Sequence, residues 1–395
     1  MRIACVGGGP GGLFLAILAK QLATVDAVTV YERLPEGVTH GWGVVFWDGL
    51  LEDLEGQDEP TARELRAEAF KWRDQVIDVQ GRSPVRLPGH GYSMSRRTMR
   101  GLLAQRARAL GVDLRFGHAV QDLSELAGYD LVVACDGVNS ASRQHHGAKF
   151  EPRVERGRNK YIWLGTSKVF ESFTFPFVRT PAGWVWAHAY GYGAEGSTFV
   201  VETSPETWTG LGFDALAPEA TMRELELIFA RHLDGRPLRP PAGTHETTPW
   251  LEFQTVSNAR WYYGQVALLG DAAYMTHFTI GSGTRLALED GIALAFQLQA
   301  HDALDPALAA YGKQRSAELE PVAREAGGSA EWFEDVSRYI DRDPRDFAQL
   351  LISRRRSLVR RFPSAYLGLR RAAAAAPVLS EPARRAVRRL RGSAH

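Results

Sequence analysis

The run Arg2-Ile-Ala-Cys-Val6, then Gly7-Gly-Gly9-Pro10-Gly-Gly12, then Leu13-Phe-Leu-Ala-Ile-Leu-Ala-Lys20, decides how the chain is read. The first piece is a short apolar run of the kind that forms a buried parallel strand, and the last has a helical apolar pattern. Between them Gly7, Gly9 and Gly12 hold the G-x-G-x-x-G spacing. In that setting the first glycine permits the tight turn, the second lets backbone approach a pyrophosphate, and the third lets the helix pack on the strand. The uncapped N–H groups of the helix then face the phosphate charge. A second apolar strand, Ala27 to Tyr31, ends at Glu32 and Arg33. An acid at that place accepts hydrogen bonds from an unphosphorylated adenosine ribose, as in FAD or NAD.

Outward from this unit, Arg97–Gly111 reads as a helix, Leu114–Phe116 as a strand, and Tyr129–Cys135 as a buried strand that closes on Asp136-Gly137. From about Val154 to Thr255 the pattern changes. Lys160–Thr166, Gly183–Tyr190 and Ser197–Glu202 are rich in aromatic and β-branched residues with glycine-containing turns, the mark of antiparallel strands. Gln265–Leu269 is again a buried strand, closing on Gly270-Asp271, and helical patterns dominate thereafter. The expected fold is α/β: a dinucleotide-binding (FAD or NAD), Rossmann-like three-layer domain with an inserted antiparallel-sheet domain, the expected substrate domain, and a helical C-terminus. The expected divisions are 1–153 and 257–300 for the dinucleotide-binding domain, 154–256 for the substrate domain, and 301–395 for an arginine-rich helical region.

Composition sets the outer bounds. With 395 residues, 45% hydrophobic and 24% charged, the chain is of ordinary globular type and long enough for two or three domains. Cys5 and Cys135 both lie in apolar runs, which points to a reducing compartment. No apolar run reaches the roughly 18 residues of a membrane span, and strand signal beginning at Arg2 leaves no room for a leader, so a cytoplasmic location is expected. The net charge of +1 is uneven: from Arg354 onward stand twelve arginines and one acid, Glu381, so the rest of the chain carries −10. That tail reads as a solvated helix pair meeting acidic faces of its own protein, or as a platform for phosphates. No nucleic-acid motif accompanies it. His145-His146 has no partner at ligand spacing, and no metal site is expected.

The glycine fingerprint, Asp136-Gly137 and Gly270-Asp271 occur in the order found in the class A flavoprotein monooxygenases, the p-hydroxybenzoate hydroxylase fold, which this chain resembles from residue 2 to about 300. The resemblance implies FAD as cofactor and NAD(P)H and O2 as co-substrates, with oxygen transferred from a flavin C4a-hydroperoxide. It implies FAD contacts at Gly7, Gly9, Pro10, Gly12, Glu32, Arg33, Gly43, Val44, Arg96, Asp136, Gly137 and Asp271, the last on the ribityl chain. Gly281, Gly283 and Thr284 would bring backbone N–H groups to the flavin pyrimidine edge. Gly41–Phe46, Gly157–Thr166 and Gly270–Thr284 are similar to the CoA-ester branch, salicylyl-CoA 5-hydroxylase, 2-aminobenzoyl-CoA monooxygenase and a tropone-pathway oxygenase. Gly157–Thr166 is also similar to the violacein-pathway indole hydroxylase. Tyr274, Phe278 and Arg285 depart from the usual histidine, proline and asparagine of the wider class.

Hydroxylation is easier when a ring hydroxyl is deprotonated or bonded to an acceptor. His277 is the first candidate for that acceptor, then His188, with Tyr161 to orient the substrate. The substrate expected is an aromatic or cyclic CoA thioester, supported by Arg153, Arg156 and Arg158 as phosphate partners. The same chemistry on a free aromatic or indole compound is the alternative. A flavin halogenase, an NAD dehydrogenase without flavin and a non-catalytic flavoprotein are the remaining rivals.

Overall fold

The computed structural model describes residues 1–241 and 249–375. Two sheets organise it. The first contains β1 (Arg2–Val6), β2 (Ala27–Glu32), β6 (Asp113–Phe116), β7 (Leu131–Ala134), β14 (Tyr262–Tyr263) and β15 (Val266–Leu268), in the order β14-β15-β7-β1-β2-β6. All neighbours are parallel except the β14–β15 pair. These strands are short and nearly all apolar, as a parallel sheet covered on both faces requires. Val6 pairs with Tyr31, so the glycine turn leaving β1 lies beside Glu32 at the end of β2. Helices α1 (Pro10–Lys20) and α2 (Arg96–Ala109) share one core with this sheet, together with α3 (Gly283–Ala300) and the first half of α4 (Leu304–Glu334).

The second sheet has nine strands: β3 (Gly43–Phe46), β4 (Phe70–Val79), β5 (Val85–Ser95), β8 (Pro152–Thr166), β9 (Phe173–Thr180), β10 (Gly183–Gly193), β11 (Gly196–Thr203), β12 (Leu238–Arg239) and β13 (Leu251–Asn258). Its order is β12-β8-β11-β10-β9-β4-β5-β3, with β13 paired to β8. Here the domain division expected from sequence is corrected. Strands β3, β4 and β5, assigned above to the FAD-binding part, pair into the second sheet through a parallel junction of β4 with β9, while the helices between β3 and β4 keep Leu50, Leu51, Leu54, Ala62 and Leu65 in the core of the first. The β4 sequence Phe-Lys-Trp-Arg-Asp-Gln-Val-Ile-Asp-Val carries charges that mask its buried positions, Trp72, Val76, Ile77 and Val79. A strand of that composition is stabilised by its neighbours more than by its own propensity.

Both faces of the second sheet are covered. Ile162, Leu164, Phe199 and Val201 pack under the helical segment that contains Leu225, Phe229 and Leu233. On the other face, Ile77, Phe175, Phe177 and Trp186 pack against Trp332 and Phe333 of α4 and against Phe347, Leu350 and Leu351 of helix Pro344–Ile352. The C-terminal helices therefore cover the substrate sheet as well as following the FAD-binding sheet. Among the described residues no helix is long and apolar enough to cross a membrane.

The reading of the arginine tail needs a second correction. Arg360 pairs with Glu331 and Arg371 with Asp346, as a solvated helix contacting acidic faces would. Arg354 is instead only 8% exposed, beneath the Thr276–Ile280 segment. The five arginines after residue 375 lie outside the described residues.

Candidate functional site

A cradle for a dinucleotide forms where β1, β2, β7 and β15 end. Gly9 faces open space, whereas a Cβ on Gly12 would stand 2.3 Å from the Gly7 carbonyl oxygen, so only glycine lets α1 approach this closely. Pro10 occupies the first turn of α1. Glu32 Oε2 accepts from the Gly8 N–H at 2.8 Å and Oε1 from the Leu34 N–H at 2.7 Å, which fixes the carboxylate at the strand end. Arg100 Nη2 lies 3.7 Å away, and Arg33 is exposed. Arg97, Arg100, Phe116 and Glu36 border a cavity of about 150 Å³ beside this acid. A larger cavity of about 520 Å³, lined by Arg260–Gly264, Asp305 and Lys313, includes none of the expected site residues.

The next tier is marked by polar groups without protein partners. Asp136 Oδ2 accepts from the Ser142 N–H at 3.0 Å, but its buried Oδ1 has no partner, and Gly137 makes the following turn. Arg96 lies 4.5 Å above the Trp163 ring, and its buried Nε is also unpartnered. Burial pulls the Arg96 pKa down against the fields of Tyr190 and Asp271, and pushes that of Asp271 up against the field of Arg96. No donor among the described residues reaches the Asp271 carboxylate. Its turn is held from behind: Asp290 Oδ2 accepts from the Gly270 N–H at 2.8 Å, and Asp290 Oδ1 pairs with Arg315 at 2.6 Å. Burial raises Asp290 to about 6 despite Arg315.

Gly281 sits at φ +64° against Trp47 and Val45, and α3 begins at Gly283 and Thr284 without a side-chain cap, leaving its first N–H groups available. Unpaired buried groups are costly in a finished interior. Here they converge with an open glycine turn and a free helix N-terminus, and an adenosine–pyrophosphate–ribityl–flavin chain fits that donor and acceptor set. Gly43 plays a different part. Its N–H donates to Thr198 Oγ1 at 2.8 Å and its carbonyl accepts from Tyr190 at 3.0 Å, so both groups tie β3 to the second sheet; Val44 beside it is buried.

The three catalytic candidates meet in one aromatic cluster. Phe278 lies 5.3 Å from both Tyr161 and His188, and His277 stacks on Phe278 at 4.8 Å and meets Phe253 at a tilt, 4.5 Å away. Tyr161 is half-buried, burial raises it to about 12, and no described residue bonds its hydroxyl. His188 Nε2 donates to Glu202 at 3.2 Å, and burial lowers its pKa, so the ring is neutral. Glu202, 1% exposed, also accepts from Asn159 at 2.7 Å and Trp186 at 3.1 Å. Burial opposes its charge, but the hydrogen bond from His188, with that from Asn159, outweighs it.

His277, 5% exposed, is lowered to about 4 by burial, with His188 and Arg354 adding to the effect and Glu202 opposing it. Its Nδ1 is 3.0 Å from Thr279 Oγ1 and accepts from the Thr279 N–H at 3.4 Å. Sequence reading missed Glu202, Ser329 and Arg354. The signal for Glu202 was an acid directly after the strand-forming run Thr198–Val201; the other two carried none.

A family model described as an FAD binding domain matches residues 127–326. The chain is 38% identical to a salicyloyl-CoA 5-hydroxylase from Streptomyces sp, over 86% of its own length and 66% of that relative's. It is 36% identical to the 3-hydroxy-4-methyl-anthranilyl-[aryl-carrier protein] 5-monooxygenase of Streptosporangium sibiricum, over 84% of this chain and 89% of the relative. The chain belongs to the FAD-dependent aromatic monooxygenases. This class A monooxygenase is also 31% identical to the protodeoxyviolaceinate monooxygenase of Chromobacterium violaceum, over 91% and 95% of the two chains. In fold it matches the solved 2-methyl-3-hydroxypyridine-5-carboxylic acid oxygenase with a TM-score of 0.68 at 20% identity, covering 89% of this chain and 95% of that one. The monooxygenase binds FAD and uses NAD(P)H and O2, which removes the flavin-free dehydrogenase from the readings above.

Proposed function

We propose that this monooxygenase hydroxylates an aromatic ring carried as a CoA thioester. The observation that carries the proposal is the charge of the aromatic cluster. His277 and His188 are neutral, Glu202 is ionised, and every group on Arg354 is turned to protein acceptors. A free aryl carboxylate would lose its water there beside Glu202, with no cation among the described residues of the cluster free to pair with it, which is costly. A thioester carbonyl carries no charge to desolvate. The salicyloyl-CoA and carrier-protein relatives have thioester-borne substrates by name, which supports the same reading.

The arginines first taken as phosphate partners do not support it. Arg153 pairs with Glu155, Arg156 with Glu252, and Arg158 with Glu334 and Asp335. When bound, FAD supplies the activation of O2, and NAD(P)H supplies the two electrons that reduce the second oxygen atom to water. In this reading the protein holds the cofactor through Glu32, Asp136, Arg96 and Asp271. It keeps water from the ring with Phe253, Phe278 and Tyr161, and orients the ring from His277.

The test is a titration of the flavin spectrum with salicyloyl-CoA, salicylate and CoA alone. Saturable change with the CoA ester and little with salicylate is expected, followed by product carrying one added oxygen. Equal response to salicylate, or tight response to an uncharged indole, would replace the thioester with a free aromatic substrate.

A further inference from the structure

Behind the aromatic cluster runs a line of buried polar contacts that the proposed function does not require. Arg354 Nε donates to Ser329 Oγ at 2.8 Å, Ser329 Oγ donates to Thr279 Oγ1 at 2.8 Å, and Thr279 Oγ1 lies 3.0 Å from His277 Nδ1. The other ends of the guanidinium are fixed as well: Nη1 donates to the Leu351 carbonyl at 2.8 Å and Nη2 to the Thr279 carbonyl. Arg355 Nη2 donates to the next carbonyl, Ile280, at 3.1 Å.

The chemistry of these groups sets the direction of the line. A guanidinium only donates, and a hydroxyl has one proton. Ser329 accepts from Arg354, so its proton points to Thr279. Thr279 accepts from Ser329, so its own proton points to His277. The Thr279 backbone N–H also aims at Nδ1. Two donors therefore meet on Nδ1, which must present its lone pair. In a neutral imidazole the proton then sits on Nε2, and no described residue bonds that atom.

We infer that Arg354, acting through Ser329 and Thr279, is a positioning residue that holds His277 as a fixed Nε2–H donor toward an oxygen of the aromatic substrate. This reverses the role expected from the sequence, where His277 was to accept a proton or hydrogen bond from a ring hydroxyl. A donor held in one tautomer orients the ring through its carbonyl or hydroxyl oxygen. It does not remove the ring proton. Burial, which keeps the imidazole neutral near pH 7, is consistent with this role. The inference rests on the proposed function for the identity of the substrate oxygen only.

Holoenzyme labelled with 15N-histidine tests the tautomer without any substrate, with His277→Gln assigning the signals. At pH 7 the expected pattern for His277 is an unprotonated Nδ1 and a protonated Nε2. Thr279→Val keeps the volume and the backbone N–H but removes the hydroxyl. It should shift His277 toward a tautomer mixture and cut the product formed per NAD(P)H oxidised with salicyloyl-CoA by roughly tenfold, the worth of one buried hydrogen bond. Thr279→Ser should restore both. Arg354→Met should reproduce the valine phenotype and Arg354→Lys should recover part of it; Thr279→Val decides alone if the arginine variants do not fold. A protonated Nδ1 in the wild type, or unchanged signals and coupling in Thr279→Val, overturns the inference. The expected tautomer together with no turnover of any aryl thioester overturns the substrate reading and leaves the relay standing.

Discussion

Polar groups are treated in opposite ways in two neighbouring regions of this molecule. In the nucleotide cradle, Asp136 Oδ1 and Arg96 Nε are buried without partners, and no donor among the described residues reaches Asp271. Around His277, Glu202 has three donors, Arg354 has three acceptors, and the hydroxyls of Thr279 and Ser329 are both engaged. The first arrangement is that of a site completed by a ligand, since its unpaired groups become satisfied on binding. The second is satisfied by the protein alone, and such networks rigidify what they hold. Binding strength should therefore respond most to changes in the cradle, and precision of the reaction to changes in the network.

The sharpest break of that contrast is Gly12→Ala. Its Cβ would be 2.3 Å from the Gly7 oxygen, a contact that backbone must move to relieve. We expect loss of bound FAD and a destabilisation of several kcal/mol, in the range of strained overpacking. Retained flavin at wild-type melting temperature would show the turn to be softer than its geometry implies.

Acid should act on the network next. The folded pKa of His277, about 4, lies below its ordinary 6.5, so the folded state binds fewer protons than the unfolded chain between those values. That contribution is complete above about pH 6.5 and disappears as pH falls toward 4, with a ceiling of roughly 3 kcal/mol. Burial lowers His188 in the same direction. Denaturant midpoints measured from pH 7 to pH 4.5 should fall, and less steeply in His277→Phe. Parallel curves for the two proteins would remove His277 from the effect.

Asp271→Ala should cost about 1.5–3 kcal/mol of FAD binding, the range for a hydrogen bond to a charged group, or roughly tenfold or more in affinity. Its effect on coupling should be small beside that of Thr279→Val. If Asp271→Ala uncoupled oxygen use while FAD affinity stayed unchanged, the division of labour between the two regions would be wrong. Least of all should change in Arg156→Ala. This exposed arginine lies 3.7 Å from Glu252, and its loss should alter stability and salicyloyl-CoA affinity by less than about 0.5 kcal/mol. A larger drop in affinity that disappeared at raised salt would restore a phosphate-binding role to that arginine.

What the sequence determined by itself is the cradle and the fold class around it. The strand Arg2–Val6, the glycines at 7, 9 and 12 and the acid at Glu32 are linked by a turn, a helix and a strand, so chain geometry alone places them together. Asp136 and Asp271 were legible because each closes a short apolar strand of the same parallel sheet. The sequence also singled out His277, His188 and Tyr161, which the structure brings into one cluster around Phe278. Only the tertiary structure decided which strands build the substrate sheet and which groups face His277. Strands β3 to β5 join that sheet through the pairing of β4 with β9, almost a hundred residues away, and β4 carries too many charges to announce a buried face. Ser329 and Arg354 stand 50 and 75 residues from Thr279, the first on a long helix and the second in a turn between two helices, where the local pattern says only helical or basic. The direction of a hydrogen-bond line depends on which donor stands at its end, and packing, not local sequence, put Arg354 there.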